Sequence, residues 1–89
     1  DKLTDVLLEK HNYTNGHLEI LAELFNAEAE LVMAQGNGAD CLEYSEKSLM
    51  LFEFIDTRQK TLSMERLDKM ASIRKRMSAL KKVLTQKRN

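Results

Sequence analysis

The sequence predicts an all-α fold, either an elongated antiparallel helical hairpin or a three-helix bundle with coiled-coil character. Three observations support this prediction. The 89 residues include no proline and only three glycines, so the residues that most often interrupt helices are nearly absent. Hydrophobic residues make up 43% of the chain, and they recur at helical spacing. A Gly-Asn-Gly turn separates two such runs, and we expect a single helical domain over residues 1–89.

The first helix is predicted over about residues 4–35. A stripe recurs at every seventh position along it: Val6, Tyr13, Ile20, Ala27 and Ala34. Leu24 and Leu31 flank this stripe. Because the stripe runs without interruption, one continuous helix of roughly 48 Å fits better than two short helices. Thr14 or Asn15 could instead cap a separate start.

A turn over residues 36–39 ends the first helix. Glycine directly after an apolar helical run is the usual stop, because it adopts the left-handed conformation without a Cβ clash. Asp40, followed three residues later by Glu43, resembles a capping box and predicts a second helix over about residues 40–61. A turn this short predicts that the two helices pack as antiparallel neighbours.

The third helix is predicted over about residues 63–87. Ser63 is its candidate N-cap, and we expect a bend or break at residues 61–63. The alternative is one long helix that shifts its contact face there. Five apolar residues of this segment follow the 3-4 spacing of a coiled-coil seam: Met70, Ile73, Met77, Leu80 and Leu84.

The net charge of zero conceals a strong asymmetry. Residues 1–46 hold ten acids and two lysines, for a net charge of −8, whereas residues 47–89 hold twelve bases and four acids, for +8. The basic half could neutralise the acidic half within the chain, or it could bind an external partner. We expect no membrane partner, since no apolar run approaches the roughly 20 residues of a membrane span.

The sequence contains no pattern typical of an active site, a cofactor site or a metal site. His11 and His17 lie six positions apart and do not share a helix face. Cys41 is the only cysteine, which excludes an internal disulfide and fits a reducing, cytoplasmic compartment. Gly36-Asn37-Gly38 lacks the Lys-Ser/Thr of a phosphate-binding loop. We therefore expect a protein that is not an enzyme and uses no cofactor.

Two segments are candidate partner-binding surfaces. Six of the seven residues from 49 to 55 are apolar, so they cover every side of a helix. A third helix or another chain must then cover them. The helix after residue 66 is amphipathic and rich in methionine, which suits varied partners. The predicted partner-binding residues are Leu49, Met50, Phe52, Phe54, Ile55, Met70, Ile73, Met77, Leu80 and Leu84.

The layout of the chain resembles the flagellar type III export chaperones of the FliT and FlgN kind, over about residues 18–85. The features that carry the resemblance are a long acidic first helix, the turn from Gln35 to Asp40, and a second helix with Glu43, Glu46 and Arg58. It implies a small cytoplasmic helical chaperone that binds the terminal helix of a client and docks on export machinery.

The expected function is a non-enzymatic helical protein-binding chaperone or adaptor, with a flagellar or type III secretion export chaperone as its specific form. Its expected partners are the amphipathic helix of a client and a second copy in a homodimer. One alternative is a small regulatory protein that binds nucleic acid through the basic carboxy-terminal helix. That option is weaker, because no aromatic residues interleave the bases and the acidic half would repel phosphate. Another alternative is a structural coiled-coil oligomerisation module.

Overall fold

A computed structural model describes residues 15–59 and 63–86 of the chain. These residues form three helices, which we number α1 (Asn15–Ala34), α2 (Gly38–Arg58) and α3 (Met64–Gln86). The central helix α2 packs against both α1 and α3, so the predicted all-α fold is confirmed in its bundle form. The amino-terminal part of the predicted first helix, with Val6 and Tyr13, lies outside the described residues.

The turn between α1 and α2 has the backbone conformation that its glycine led us to predict. Gly36 has a φ of +82°, in the left-handed region that favours glycine. Its N–H donates to the carbonyl of Met33 at 3.0 Å, and the N–H of Asn37 donates to the carbonyl of Val32 at 2.9 Å. This pair of bonds is the Schellman motif, which satisfies carbonyls left without partners at the end of a helix.

The start of α2 differs from the prediction. The N-cap is Asn37, and the capping box predicted at Asp40 is wrong. The Asn37 side-chain oxygen accepts a hydrogen bond from the backbone N–H of Asp40 at 3.1 Å, and its amide donates to the Asp40 carboxylate at 2.7 Å. An asparagine satisfies the first free N–H groups as well as an aspartate does. Asp40 instead places its negative charge in the first turn, near the positive end of the helix dipole.

The predicted break between the second and third helices is confirmed. α2 ends at Arg58, earlier than the predicted end near residue 61, because Gln59 adopts an extended backbone conformation, and α3 begins at Met64. The Ser63 side chain accepts a hydrogen bond from the backbone N–H of Arg66 at 3.2 Å. The prediction that Ser63 is the N-cap of α3 is therefore confirmed. One long helix through this point is excluded, because its backbone would not leave that N–H free for a side chain.

Small side chains form part of the contact between α1 and α2. Ser48 on α2 donates a hydrogen bond to the carbonyl of Ala22 on α1 at 2.7 Å, and both residues are fully buried. Further along, Ala29 and Cys41 belong to one buried cluster. Side chains of this size let two helices approach closely. The same size gives them a weak hydropathy signal in the sequence.

Helix α3 covers a second side of α2, next to the side that packs on α1. The main core cluster joins all three helices through Leu18, Ala22, Leu51, Phe52, Ile55, Met70 and Ile73. A third helix of the same chain therefore covers much of the apolar segment at residues 49–55. This is one of the two alternatives that the sequence left open.

The basic helix α3 also pairs with the acidic helix α1. The ion pairs between them are Arg66–Glu19, Lys69–Glu23 and Arg76–Glu30. Residue numbers rise in the same direction along both helices, so α1 and α3 run parallel and α2 runs opposite to them. Of the two options that the charge asymmetry left open, neutralisation within the chain is confirmed at these positions.

Candidate helix-docking surface

The structure brings the predicted partner-binding residues together, but largely inside the bundle. Five of them are buried: Phe52, Ile55, Met70, Ile73 and Leu80. The other five are half-buried: Leu49, Met50, Phe54, Met77 and Leu84. A partner could reach the buried five only if α3 moved away from α2. Their role in binding stays a prediction, and the apolar surface of the folded chain lies elsewhere.

That surface is an apolar stripe on the outside of α1. Ile20, Leu24 and Leu31 are 59%, 60% and 52% exposed, and the exposed Ala27 lies between them. We call these four residues the outer face of α1. Single exposed apolar residues are common on protein surfaces, but a contiguous patch marks an interaction site.

Helix geometry explains why these residues are exposed. At 3.6 residues per turn, the outer face lies nearly opposite the side of α1 that packs against α2. The residues buried on that inner side are Leu18, Ala22, Ala29 and Val32. Helix α1 therefore carries two apolar sides, and α2 covers only one of them. Sequence reasoning found the outer stripe as a heptad repeat but assigned no site to it.

The spacing of the outer face is that of a coiled-coil seam. Six exposed residues alternate steps of three and four along α1: His17, Ile20, Leu24, Ala27, Leu31 and Ala34. Side chains spaced in this way insert between those of a second helix. At the amino-terminal end of the seam, an open depression of about 210 Å³ is lined by His17, Ile20, Leu21 and Leu24. The arrangement can receive an amphipathic helix laid along α1.

The rim of the outer face next to α3 is charged but compensated. Glu23 forms ion pairs with Lys69, and Glu30 lies 4.0 Å from the guanidinium of Arg76. The hydrogen bond to the Glu23 carboxylate raises the pKa of Lys69, against the smaller opposing effect of burial. The two glutamates thus carry less unbalanced charge than the sequence of α1 suggests.

An aromatic contact on the inner side of α1 fixes how this helix packs on α2. The rings of Phe25 and Tyr44 stack with their centroids 6.2 Å apart, and the ammonium of Lys47 lies 5.8 Å from each ring centroid. Aromatic stacking and cation–π contacts each stabilise such a packing modestly. They hold α1 in a fixed rotation, which keeps the outer face directed away from the bundle.

The basic side of α3 is a weaker candidate site. Four of its basic residues already form ion pairs within the chain: Arg66, Lys69, Arg74 and Arg76. Lys75, Lys81 and Lys82 are exposed, and the last two line an open depression of about 430 Å³ with Ser78 and Thr85. Phosphate binding grows with the number of neutralising cations. Within residues 64–86, the exposed basic residues without an ion pair are therefore these three lysines, and the nucleic-acid alternative stays a prediction.

The described residues offer no other chemical centre. Cys41 is buried, with its Sγ 3.9 Å from the Ser45 hydroxyl oxygen. Over residues 15–59 and 63–86, no three His, Cys, Asp or Glu side chains converge where they could hold a metal ion. Across the same ranges, no helix is both long and apolar enough to cross a bilayer. His11, weighed with His17 as a ligand, lies outside the described residues.

Known proteins do not identify the chain. The resemblance to flagellar export chaperones rests on the layout of the helices and the turn alone. Comparisons with protein-family models, with curated proteins and with solved structures found no match.

Proposed function

We propose that this chain is a non-enzymatic helix-docking protein, an adaptor or chaperone that binds an amphipathic helix along the outer face of α1. One observation carries the proposal: Ile20, Leu24 and Leu31 are more than half exposed at coiled-coil spacing, on a helix whose other side is already packed. These exposed side chains contribute little to the core of the bundle, so core packing does not explain the stripe.

The size of the outer face indicates reversible binding. Full burial of a leucine or isoleucine side chain contributes about 1.5–3 kcal/mol. Covering the exposed half of three such side chains therefore contributes on the order of 3–4 kcal/mol, and the apolar side chains of the docked helix add a similar amount. Association costs at least about 4 kcal/mol in lost translational and rotational freedom. Binding then depends on additional contacts along the rims, and it suits an adaptor that captures and releases its partner.

A narrower form of the proposal is a cytoplasmic export chaperone of the flagellar or type III secretion kind. The three-helix layout, the glycine turn after α1 and the acidic character of α1 support it. The buried, unpaired Cys41 fits a reducing compartment, where free thiols persist. In this form, the docked helix would belong to a client protein before its export.

Site-specific photo-crosslinking in the native host tests the helix-docking function. A benzophenone amino acid placed at Leu24 should form covalent adducts with whatever helix docks there. The matched control places it at Glu43, whose side chain is 65% exposed but lies on α2, away from the outer face. Adding Leu31→Ser to the Leu24 variant should reduce the yield of adducts, because it removes an apolar contact one heptad away on the same face.

The contrast between the two positions decides the outcome. Adducts at position 24 that exceed those at position 43 and fall with Leu31→Ser support the proposal. Equal yields at the two positions, or no adduct at position 24, would show that the outer face is simply a tolerated apolar surface.

A further inference from the structure

We propose that the helix docked on the outer face of α1 is α1 of a second copy of this chain, running antiparallel. This inference rests on the proposed helix-docking function and names the occupant of the outer face in the absence of a client helix, which would bind the same face. Two copies related by a twofold axis present the same surface to each other. A self-complementary face should therefore match itself when one copy is reversed.

The order of side chains along α1 meets this requirement. If the twofold axis passes between Phe25 and Asn26, Ile20 of one copy lies opposite Leu31 of the second copy. In the same way, Leu24 lies opposite Ala27. Leu24 thus faces a small side chain that leaves room for it. The two large side chains Ile20 and Leu31 face each other near the ends of the outer face. Alternation of large and small side chains across facing positions fills the space between two helices.

A parallel pair fits the same residues poorly. In that arrangement each residue faces its own counterpart, so Ala27 would face Ala27 of the second copy and leave a gap beside layers of facing leucines. Such a gap loses packing contacts on both sides. The side-chain order therefore favours the antiparallel pair.

Charge is also compatible with a second copy. In the antiparallel pair, Glu23 of one copy lies near Glu30 of the second copy on the rim beside α3. Lys69 and Arg76 of the same chain already pair with these two glutamates, so like charges do not meet uncompensated. Each base could also approach the opposing glutamate of the second copy. The α3 helices thus remove the repulsion expected of two acidic helices.

Disulfide cross-linking tests both the occupant and its direction. Two single-cysteine variants, His17→Cys and Ala34→Cys, are made in a Cys41→Ala background, and one of them carries a tag so that each product has a distinct mass. Both positions are exposed, so the variants should fold. In the antiparallel pair position 17 lies opposite position 34, whereas the two copies of position 34 are about 25 Å apart along the helix. A disulfide requires Cα atoms within about 7 Å.

Oxidation of the mixed variants should give mainly the cross-linked heterodimer. Light scattering of the unmodified chain should show the mass rising toward twice the monomer as concentration increases. Leu24→Glu should weaken this self-association about tenfold or more. The control Met64→Glu should leave it nearly unchanged, because Met64 is 65% exposed but lies on α3.

Other outcomes overturn the inference in distinguishable ways. Homodimeric cross-links at positions 17 and 34 would show a parallel pair. A monomer at every concentration, without cross-links, would show that no second copy binds. If photo-crosslinking at position 24 then captures a different protein, or residues 1–14 of the same chain, the helix-docking function stands and only its occupant is wrong.

Discussion

The assignment of the two apolar sides of α1 leads to a sharp prediction about two leucines on one helix. Leu18 is fully buried in the main core cluster, whereas Leu24 is 60% exposed. The same substitution, leucine to alanine, should therefore have very different effects at the two positions. In the sequence, Leu24 flanks the heptad stripe and Leu18 has no place in it, so the sequence pattern alone would rank Leu24 as the more important of the two.

The magnitudes follow from burial. Removing a buried leucine side chain costs about 2–5 kcal/mol of unfolding free energy, and we expect about 3 kcal/mol for Leu18→Ala. In a domain of this size each kcal/mol lowers Tm by about 4–8 °C, which gives a loss of more than about 10 °C. Leu24 keeps less than half of its side chain covered, so Leu24→Ala should cost less than about 1 kcal/mol. The higher helix propensity of alanine offsets part of that loss.

Thermal unfolding followed by far-ultraviolet circular dichroism measures both effects. The measurement is made at a concentration where light scattering reports monomers, because self-association would add to the apparent stability. At higher concentration Leu24→Ala should then lose more of the wild-type stability than it does when dilute. If the dilute Leu24 and Leu18 variants lose equal stability, or if Leu18→Ala has no effect, the outer stripe is part of the core and the reasoning about α1 is refuted.

Further predictions concern the helix contacts. Ser48→Leu should lower the free energy of unfolding by at least about 1–3 kcal/mol, since the added carbons meet the backbone of Ala22; an unchanged urea midpoint would argue against this close contact, and Ser48→Ala is the control. Lys69 has a raised pKa because Glu23 accepts its hydrogen bond, so the stabilisation from this pair is fully present below the unfolded pKa near 10.4 and is lost as pH rises through the folded value. Lys69→Met should therefore flatten the alkaline end of the curve of stability against pH, and an unchanged curve would contradict the pairing. Arg66→Ala should cost about 2 kcal/mol in urea unfolding because it leaves partly buried carboxylates without a partner, and Arg66→Met, which also removes the charge, should cost nearly as much; a much smaller loss for Arg66→Met would show that packing, not charge, sets the effect.

The helices could be predicted from the sequence because the residues that start and end them act on their immediate neighbours in the chain. A glycine that must adopt a positive φ, as Gly36 does, can be recognised without knowing what surrounds it. Ser63 was recognised as an N-cap for the same reason, since capping involves only the next three residues. The start of α2 was placed wrongly because Asn37 and Asp40 are both good caps, and local chemistry does not choose between them.

The candidate site was harder to predict because it depends on which sides of the helices meet. The apolar segment with Phe52 suggested a binding surface, but that residue is fully buried in a core cluster to which both α1 and α3 contribute. The contact between α1 and α2 relies on small side chains such as Ala22 and Ser48, which carry little hydrophobic signal. A pattern search therefore favours the larger residues of the outer face and misses the inner side of α1.

The sequence by itself determined that this protein is helical, where its first turn lies, and that its basic half can neutralise its acidic half. These properties depend on backbone propensity, on spacing and on the count of charges. Only the tertiary structure decided which apolar stripe of α1 is buried, because periodicity defines a side of a helix but not the neighbour that covers it. The exposure of Leu24 and its neighbours, on which the proposed function rests, follows from that choice of neighbour.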